Sequence, residues 1–592
     1  MSKTEDFYRE KSVVFSDELT SLSFRLKWFG WYRFAAFIFL LLPPFIFGFK
    51  WWTGSLSFIL LVVFFILVKV NVALEKKKRK TSLLKKLIED ELLALKHSFL
   101  HFKSGQKFLN VDHFFAYDLD LFGEGSLFQF LNRTTTRGGY NRLADWLLNP
   151  LKQEDHILKR QRAIKELASM PEWRLDFLAE GKMFEETEQM NEEIRSWSKM
   201  ELDLKHASKI QILILIIPAL TLAALIPRIL GGTFFWFSFM VFVQWSFLFF
   251  FWKKITLYYK FFGRKSDLLS KYEQLLELIE GASFQSEYLR EQQKQLNNPS
   301  AVMAFRQLKG LVKEFEYRQN MLVGVVLNAI FLWDVRCIYR LWKWHQKHHS
   351  ELSAWLDSVG NTDALISLSN YTANHPAYIF PEVRNEGFIF NAEKLGHPLL
   401  NPLKRVDNNL QIDGFSKVLI VTGANMAGKS TFLRTVGVNL LLAKIGAPVC
   451  ASKMIFTPID IYTNMRTTDS LLKDESYFFA ELKRIKTVLD QLKSGHRFFV
   501  ILDEMLKGTN SIDKLNGSKE LIRKLAQFDA VALIATHDLK LSEMEHELPE
   551  IVFNKCFEIR IDNNELVFDY KLSDGVTQTM NATFLMKKMG II

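Results

Sequence analysis

Apolar and polar positions fall into three textures along the chain. Four stretches are almost wholly apolar: FAAFIFLLLPPFIFGF (34–49), WWTGSLSFILLVVFFILV (51–68), IQILILIIPALTLAALI (210–226) and TFFWFSFMVFVQWSFLFFFW (233–252). A helix needs about 20 apolar residues, within a range of about 17–25, to cross the hydrocarbon of a bilayer. Each stretch is close to that length, and the turn inside each pair is too short to hold a domain. The pattern predicts two transmembrane helical hairpins.

In the second texture, charged and apolar positions alternate at helical spacing, as in LLKKLIEDELLALKHSFLHF (83–102). The segment GSLFQFLNRTTTRGGYNRLADWLLNPL (125–151) adds a Thr-rich turn with two glycines. An amphipathic helix follows, with Leu143, Trp146 and Leu147 on one face and Pro150 at its end. A shorter apolar run, MLVGVVLNAIFLW (321–333), contains Asn328 and is too short to span, so core packing is its expected place. From about residue 415 the texture changes to strand-length apolar runs bounded by Gly and alternating with helical segments. These patterns predict an N-terminal hairpin segment (1–85), an all-α core interrupted by a second hairpin (86–390) and a C-terminal α/β domain (391–592).

The flanks of the apolar runs orient them. Arg25 and Lys27 precede the first hairpin and KVNVALEKKKRK follows it; Lys205 and Lys209 precede the second, and Lys253 and Lys254 close it. Positive residues beside membrane spans mark the cytoplasmic side. The expected location is the cytoplasmic membrane, with the large polar parts in the cytoplasm. Trp31, Trp51, Trp52, Trp236 and Trp252 suit an interfacial belt.

Composition narrows the class. With 592 residues the chain has room for roughly three or four domains. Phe is heavy at 53 residues, yet charged residues remain at 24%, which fits a polar protein with apolar insertions better than a polytopic transporter. Cys337, Cys450 and Cys556 offer neither a disulfide framework nor metal-ligand spacing. No cleaved secretory signal is expected from the mixed-charge first residues. The net charge of +11 suits nucleic acid or an anionic membrane and does not choose between them.

Candidate chemistry lies in the third texture. In SKVLIVTGANMAGKSTFLRT, Gly423 and Gly428 bracket Ala424, Asn425, Met426 and Ala427, and Lys429, Ser430 and Thr431 follow. In this G-x-x-x-x-G-K-S spacing, backbone N–H groups and a helix start cradle phosphates, and the Lys neutralises the outer ones. Ser430 offers a hydroxyl to Mg²⁺, with Thr431 near enough to help. The strand in HRFFVILDEMLKGTN ends in Asp503, suited to the Mg²⁺ shell, and Glu504, suited to orient or deprotonate an attacking water. The strand in AVALIATHDLK delivers His537 to the same edge, where it could sense the γ-phosphate. Taken singly, the carboxylates are strand-end charges and the His is structural. Ser476 opens a helix as an N-cap, with Glu481 two places later than a capping box requires.

Together TGANMAGKSTFLRT, SYFFAEL, FVILDEMLKGTNSID, ATHDLKLSEME, the upstream GHPLLNP and LNRTTTRGGYNRLADWLLNPL resemble the MutS family of ATPases, relatives of the ABC ATPases, over roughly residues 120–205 and 300–592. The resemblance implies a P-loop ATPase domain, a helical core with lever helices, and ATP and Mg²⁺ as cofactors. It also implies a homodimer in which Ser476 reaches the nucleotide of the other subunit. Lys429, Asp503, Glu504 and His537 would keep the roles given above, and DNA becomes a candidate partner.

Several departures matter. No mismatch-reading domain is expected ahead of residue 120, where the hairpin takes the space, and Phe184-Glu185-Glu186 matches the family's Phe-x-Glu wedge in letters only. The second hairpin stands where a DNA clamp would be inserted. No helix-turn-helix is expected after LMKKMGII, Ala424 replaces a common proline, and KGTNS replaces an Arg-Gly-Thr-Ser run. Nucleotide hydrolysis is expected to persist, with handling of mismatched or other DNA structures. The alternative is a membrane-tethered scaffold or signalling ATPase acting on protein partners. An ABC-like transporter is disfavoured by the short-looped spans and the lack of a Gly-Gly-Gln signature. The basic stretch RLWKWHQKHH (340–349) is a DNA-contact candidate, with a solvated or membrane-facing helix as its plainer reading.

Overall fold

Two helices of 45 residues each, α1 (Lys3–Phe47) and α2 (Trp51–Leu95), open the chain in the computed structural model. The structure describes residues 3–48, 50–200, 204, 206–263, 265–297, 299–466, 477–562 and 565–578. The two helices pair antiparallel around Gly48. Only their distal halves are apolar; the proximal halves continue as one hydrogen-bonded unit into the core, so the expected boundary at 85/86 falls inside α2. Leu84, Leu87 and Ile88 of that proximal half are buried. Phe34, Phe39, Phe58 and Phe65 of the distal halves face outward.

The second hairpin pairs α3 (Ala207–Ala223) with α4 (Phe235–Phe262), so its first helix stops three residues short of the expected 226. Phe249 and Phe250 are 81% and 83% exposed. Among the described residues, four helical stretches are by length and composition apolar and long enough to cross a membrane: α1, α2, Ala207–Ile229, which begins with α3, and α4.

The run at 321–333 departs from expectation. It forms α5 (Met321–Phe331), packed beside α3 and α4 and bent 81° from the next helix, α6 (Trp333–Asn374). Met321 and Leu322 are each 80% exposed, so this is not core packing. Apolarity alone cannot distinguish a helix enclosed on all sides from one covered on a single side. The bend breaks the backbone ladder, and buried amides satisfy the freed groups. Gln244 of α4 donates to Thr221 Oγ1 (2.6 Å) and to the Ile330 carbonyl (3.0 Å), and accepts from Leu332 N–H (3.1 Å). Asn328 donates to the Gly324 carbonyl and accepts from Asp334 N–H, each at 3.0 Å.

Helix α6 runs from this bend into the core. The stretch at 340–349 lies on it, and one face of it turns inward: Leu341, Trp344, His345 and His348 are buried, whereas His349 is exposed. His345 Nε2 lies 2.9 Å from the Trp197 carbonyl, and Arg340 pairs with Glu314. One face of the stretch is therefore core, while Lys343 and Lys347 stay exposed on the other. Further along α6, the Thr-Gly segment docks. Thr136 caps a helix over Arg137–Leu148 by accepting from Gly139 N–H at 2.9 Å. Buried Asp363 of α6 accepts from Thr135 N–H (3.0 Å), Thr136 N–H (2.8 Å) and Thr136 Oγ1 (2.7 Å). Burial pushes the Asp363 carboxyl up to about 6. The crossing is close enough that a Cβ on Gly360 would sit 2.9 Å from the Gly138 carbonyl carbon.

The C-terminal part carries two sheets. Strands β1 (Glu382–Val383), β2 (Ile389–Leu395), β3 (Asn408–Asp413) and β5 (Lys453–Phe456) form one in the order β1-β5-β2-β3. The expected boundary at 390/391 falls inside β2, and β1 pairs with β5 across it. The second sheet contains β4 (Lys417–Gly423), β6 (Asp460–Asn464), β7 (Phe498–Asp503), β8 (Val531–Thr536), β9 (Val552–Asp562) and β10 (Glu565–Asp574). Its order is β10-β9-β4-β8-β7-β6. Every neighbouring pair is parallel except β9 with the edge strand β10. Residues of β8 are buried throughout, as a parallel strand covered on both faces requires.

Candidate nucleotide site

Strands β4, β7 and β8 are neighbours and parallel, so their carboxyl ends open onto one edge, where open α/β sheets bind ligands. After β4 the chain turns through Ala424–Ala427, with Met426 at φ 66°, into α7 (Lys429–Lys444). Gly428 precedes the helix at φ 106°, a conformation glycine adopts without strain. It brings no capping side chain, so the first-turn N–H groups stay available to an anion. Ser430 and Thr431 are exposed at the mouth.

The sequence-expected polar residues converge. Lys429 is buried and folds back, donating to the carbonyls of Gly423 (2.7 Å) and Ala424 (2.9 Å), with its Nζ 3.3 Å from both ring nitrogens of His537. Burial lowers its pKa to about 8, against the pull of Asp503 and Glu504. Glu504 Oε1 lies 2.7 Å from His537 Nε2. The hydrogen bond from His537 is the main cause holding the Glu504 carboxyl down at about 2, against the effect of burial. Ser476 lies outside the described residues.

A cleft of about 460 Å³ joins these groups. Its lining also holds His397, Lys404, Asn408 and Tyr570, for which sequence reasoning named no role. His397 stands in the quoted GHPLLNP, and that motif was its signal; burial pushes its pKa down to about 4, leaving it neutral. Tyr570 had no local signal. It is brought by β10, where Asn408 donates to its carbonyl at 3.0 Å and accepts from Leu572 N–H at 2.8 Å.

Glu481 has a clearer role than its sequence reading gave it. It is buried on α8 (Tyr477–Lys493), where its carboxylate accepts from Leu506 N–H (2.7 Å) and Lys507 N–H (3.2 Å). Those residues follow Glu504, and both Glu504 (φ 56°) and Leu506 (φ 57°) hold left-handed backbone, a strain that needs surrounding support. Glu481 supplies part of it. In Glu481→Gln one acceptor becomes a donor facing backbone N–H groups. Turnover of ATP is expected to fall by roughly 10-fold or more at nearly unchanged nucleotide affinity, the unmade hydrogen bond costing about 1–3 kcal/mol. Steady-state rates beside equilibrium binding of a fluorescent ATP analogue check this.

Ion pairs tie the site to the helical part. Asp120 pairs with Arg434 of α7 at 3.2 Å and with Arg466 at 2.5 Å. Buried Asp118 accepts from Thr463 Oγ1 at 2.7 Å.

The residues present suit a magnesium nucleotide. The cleft falls within the roughly 300–1,000 Å³ usual for small-molecule sites. Asp503 and the Ser430 and Thr431 hydroxyls are oxygen donors, and Mg²⁺ takes one or two carboxylates plus phosphates rather than a full protein cage. Among the described residues no group of three or more His, Cys, Asp or Glu is placed to hold a metal ion.

Fold and site together define an α/β domain with a glycine-bounded loop and a polar cleft at one sheet edge, joined to a long-helix core. The chain belongs to the MutS family: residues 116–369 match MutS domain III and residues 419–587 match MutS domain V. It is similar to the DNA mismatch repair protein MutS of Thermotoga maritima, at 31% identity over 254 residues, 42% of this chain and 31% of that protein. MutS protein homolog 4 of Mus musculus is 30% identical over 281 residues, 46% of this chain and 27% of that protein. The matched region thus spans about a third of the length of these curated relatives.

Proposed function

We propose that this chain is a membrane-anchored MutS-family ATPase that binds and hydrolyses magnesium ATP as a homodimer and acts on DNA. The observation that carries the reading is the convergence of Lys429, Asp503, Glu504 and His537 on one cleft behind a glycine-bounded loop. In this reading Lys429 leaves its two carbonyls to meet the outer phosphates. Ser430 and Asp503 would hold Mg²⁺, which supplies charge neutralisation at the transferred phosphate. Glu504 orients and deprotonates the attacking water, and His537, bonded to it, senses the terminal phosphate. Ser476 completes the site of the partner subunit. The Asp118 and Asp120 contacts pass closure of the site to the helical part.

Anchoring rests on the four long apolar helices with outward-facing Phe and on the basic residues at their flanks. DNA as a partner rests on the relatives named for mismatch repair. In detergent, the chain is expected to bind mismatched, branched or plain duplexes at low salt and to lose affinity as salt rises, because phosphate contacts release counterions. A titration of labelled duplexes across salt concentrations checks this; no binding to any of them at low salt would remove DNA from the reading.

A further inference from the structure

Where the apolar half of the first hairpin ends, α1 and α2 part to leave an open groove of about 550 Å³. Arg33, Lys78 and Arg79 reach into it, together with Asn71 and Glu75. Gly30 forms part of the wall and has no heavy atom within 4 Å of where a Cβ would stand, so nothing fills the opening there.

The basic run EKKKRK (75–80) divides its charges. Lys77 pairs with Glu18 at 2.8 Å, and Lys80 pairs with Asp176 (3.0 Å) and Glu180 (2.9 Å). Among the described residues, Arg33, Lys78 and Arg79 have no such partner. Glu75 is the single opposing charge in the groove, and its carboxylate accepts from Asn71 Nδ2 at 2.7 Å.

The groove stands in a defined place. Arg33 adjoins the first residue of the apolar run at 34–49, and Lys78 lies ten residues past Val68, about 15 Å along a helix. Long basic side chains close part of such a gap by lying back toward the interface. Basic clusters just cytoplasmic of a span attract anionic lipid.

We infer that the groove between α1 and α2 binds the phosphate of an anionic phospholipid headgroup through Arg33, Lys78 and Arg79. This rests on the membrane-anchored reading. Of the other basic residues of the run, Lys77 ties α2 to α1, and Lys80 braces the hairpin against the helix over Pro171–Lys182.

The test uses the full chain in mixed micelles with fluorescent phosphatidylglycerol as probe, phosphatidylcholine as the neutral comparison and inorganic phosphate as competitor. The wild type is expected to prefer the anionic probe, with phosphate failing to displace it. The pair Lys78→Gln/Arg79→Gln is expected to lose roughly 10- to 100-fold of that preference, given the attraction each basic residue has for an anionic surface. The pair Lys77→Gln/Lys80→Gln removes the same charge from the same run and is expected to keep the preference within about twofold, its partners lying on protein. Equal losses from the two pairs, or displacement by phosphate, would overturn the inference. Alkaline carbonate extraction of membranes separates the two readings. A chain that stays in the pellet without anionic preference refutes the groove alone, whereas a chain released to the supernatant refutes the anchoring and the groove together.

Discussion

Glu504→Gln is expected to lower ATP turnover by roughly 10²- to 10⁴-fold, the usual contribution of a positioned general base, while ATP affinity changes by no more than a few-fold. Glutamine preserves length and shape, so the strained loop and the Ala535 carbonyl that accepts from the residue-504 N–H at 2.9 Å are left in place. What disappears is the charge. In the free site that charge is present across the working pH range, because the hydrogen bond from His537 holds the carboxyl at about 2. Any fall in turnover between neutral and mildly acidic pH then belongs to another group, and the Glu504→Gln residual rate should show its own pH dependence unchanged. Single-turnover rates and equilibrium nucleotide binding on the purified full chain separate the two effects. Unchanged turnover would remove Glu504 from the chemistry.

The largest expected effect on stability falls far from the cleft. In Gly139→Ala the new Cβ would stand 2.2 Å from Asp363 Oδ2 and 2.6 Å from the Asp363 Cβ. Asp363 is fully buried and cannot withdraw into solvent. Overpacking of this kind costs about 1–3 kcal/mol, and pushing the carboxylate off the Thr135 and Thr136 N–H groups adds about 1–3 kcal/mol for each donor left bare. The expected outcome is loss of the docking between the Thr-Gly segment and α6, read as early protease cleavage near Arg137 and a lowered first unfolding transition. Gly310→Ala is the matched control: it meets no atom within 4 Å and sits in a helix, so it is expected to be neutral or slightly stabilising.

These residues show why parts of the molecule could be read from the chain and others could not. The glycine-bounded loop, the Asp–Glu pair and His537 were legible because each lies within a few residues of a strand end, and parallel pairing of β4, β7 and β8 brings strand ends to one edge. The long apolar helices were legible because length and absence of charge are properties of one segment. Asp363 was invisible as a partner of the Thr-Gly segment, since 227 positions separate it from Thr136. Tyr570 reaches the cleft only through the pairing of β10 with β9 and the hydrogen bonds to Asn408. Glu481 read as a helix-start residue because its acceptors' partners, 25 and 26 positions away, belong to a different loop.

One expectation failed and another was only half complete, for the same reason. The run at 321–333 was read as core and is not; the stretch at 340–349 was read as a DNA-contact candidate or a solvated or membrane-facing helix, and its lysines do face outward while Leu341, Trp344, His345 and His348 are buried. Both lie at the α5–α6 bend, where the apolar helix is left exposed along one side and Trp344, His345 and His348 turn inward. Composition gives a segment's preference for water but not which side of it a neighbour will cover.

Taken alone, the chain determined which segments are helix, strand or long apolar run, and which polar residues stand at the strand ends that meet at the cleft, because periodicity and motif spacing act over a few residues. Tertiary structure decided what those residues face: the carboxylate under the Thr-Gly turn, the support for the Glu504 loop, the Tyr beside the glycine-bounded loop, and the unpaired cations between α1 and α2. Burial and charge pairing depend on contacts between positions tens to hundreds of residues apart, and no local pattern encodes them.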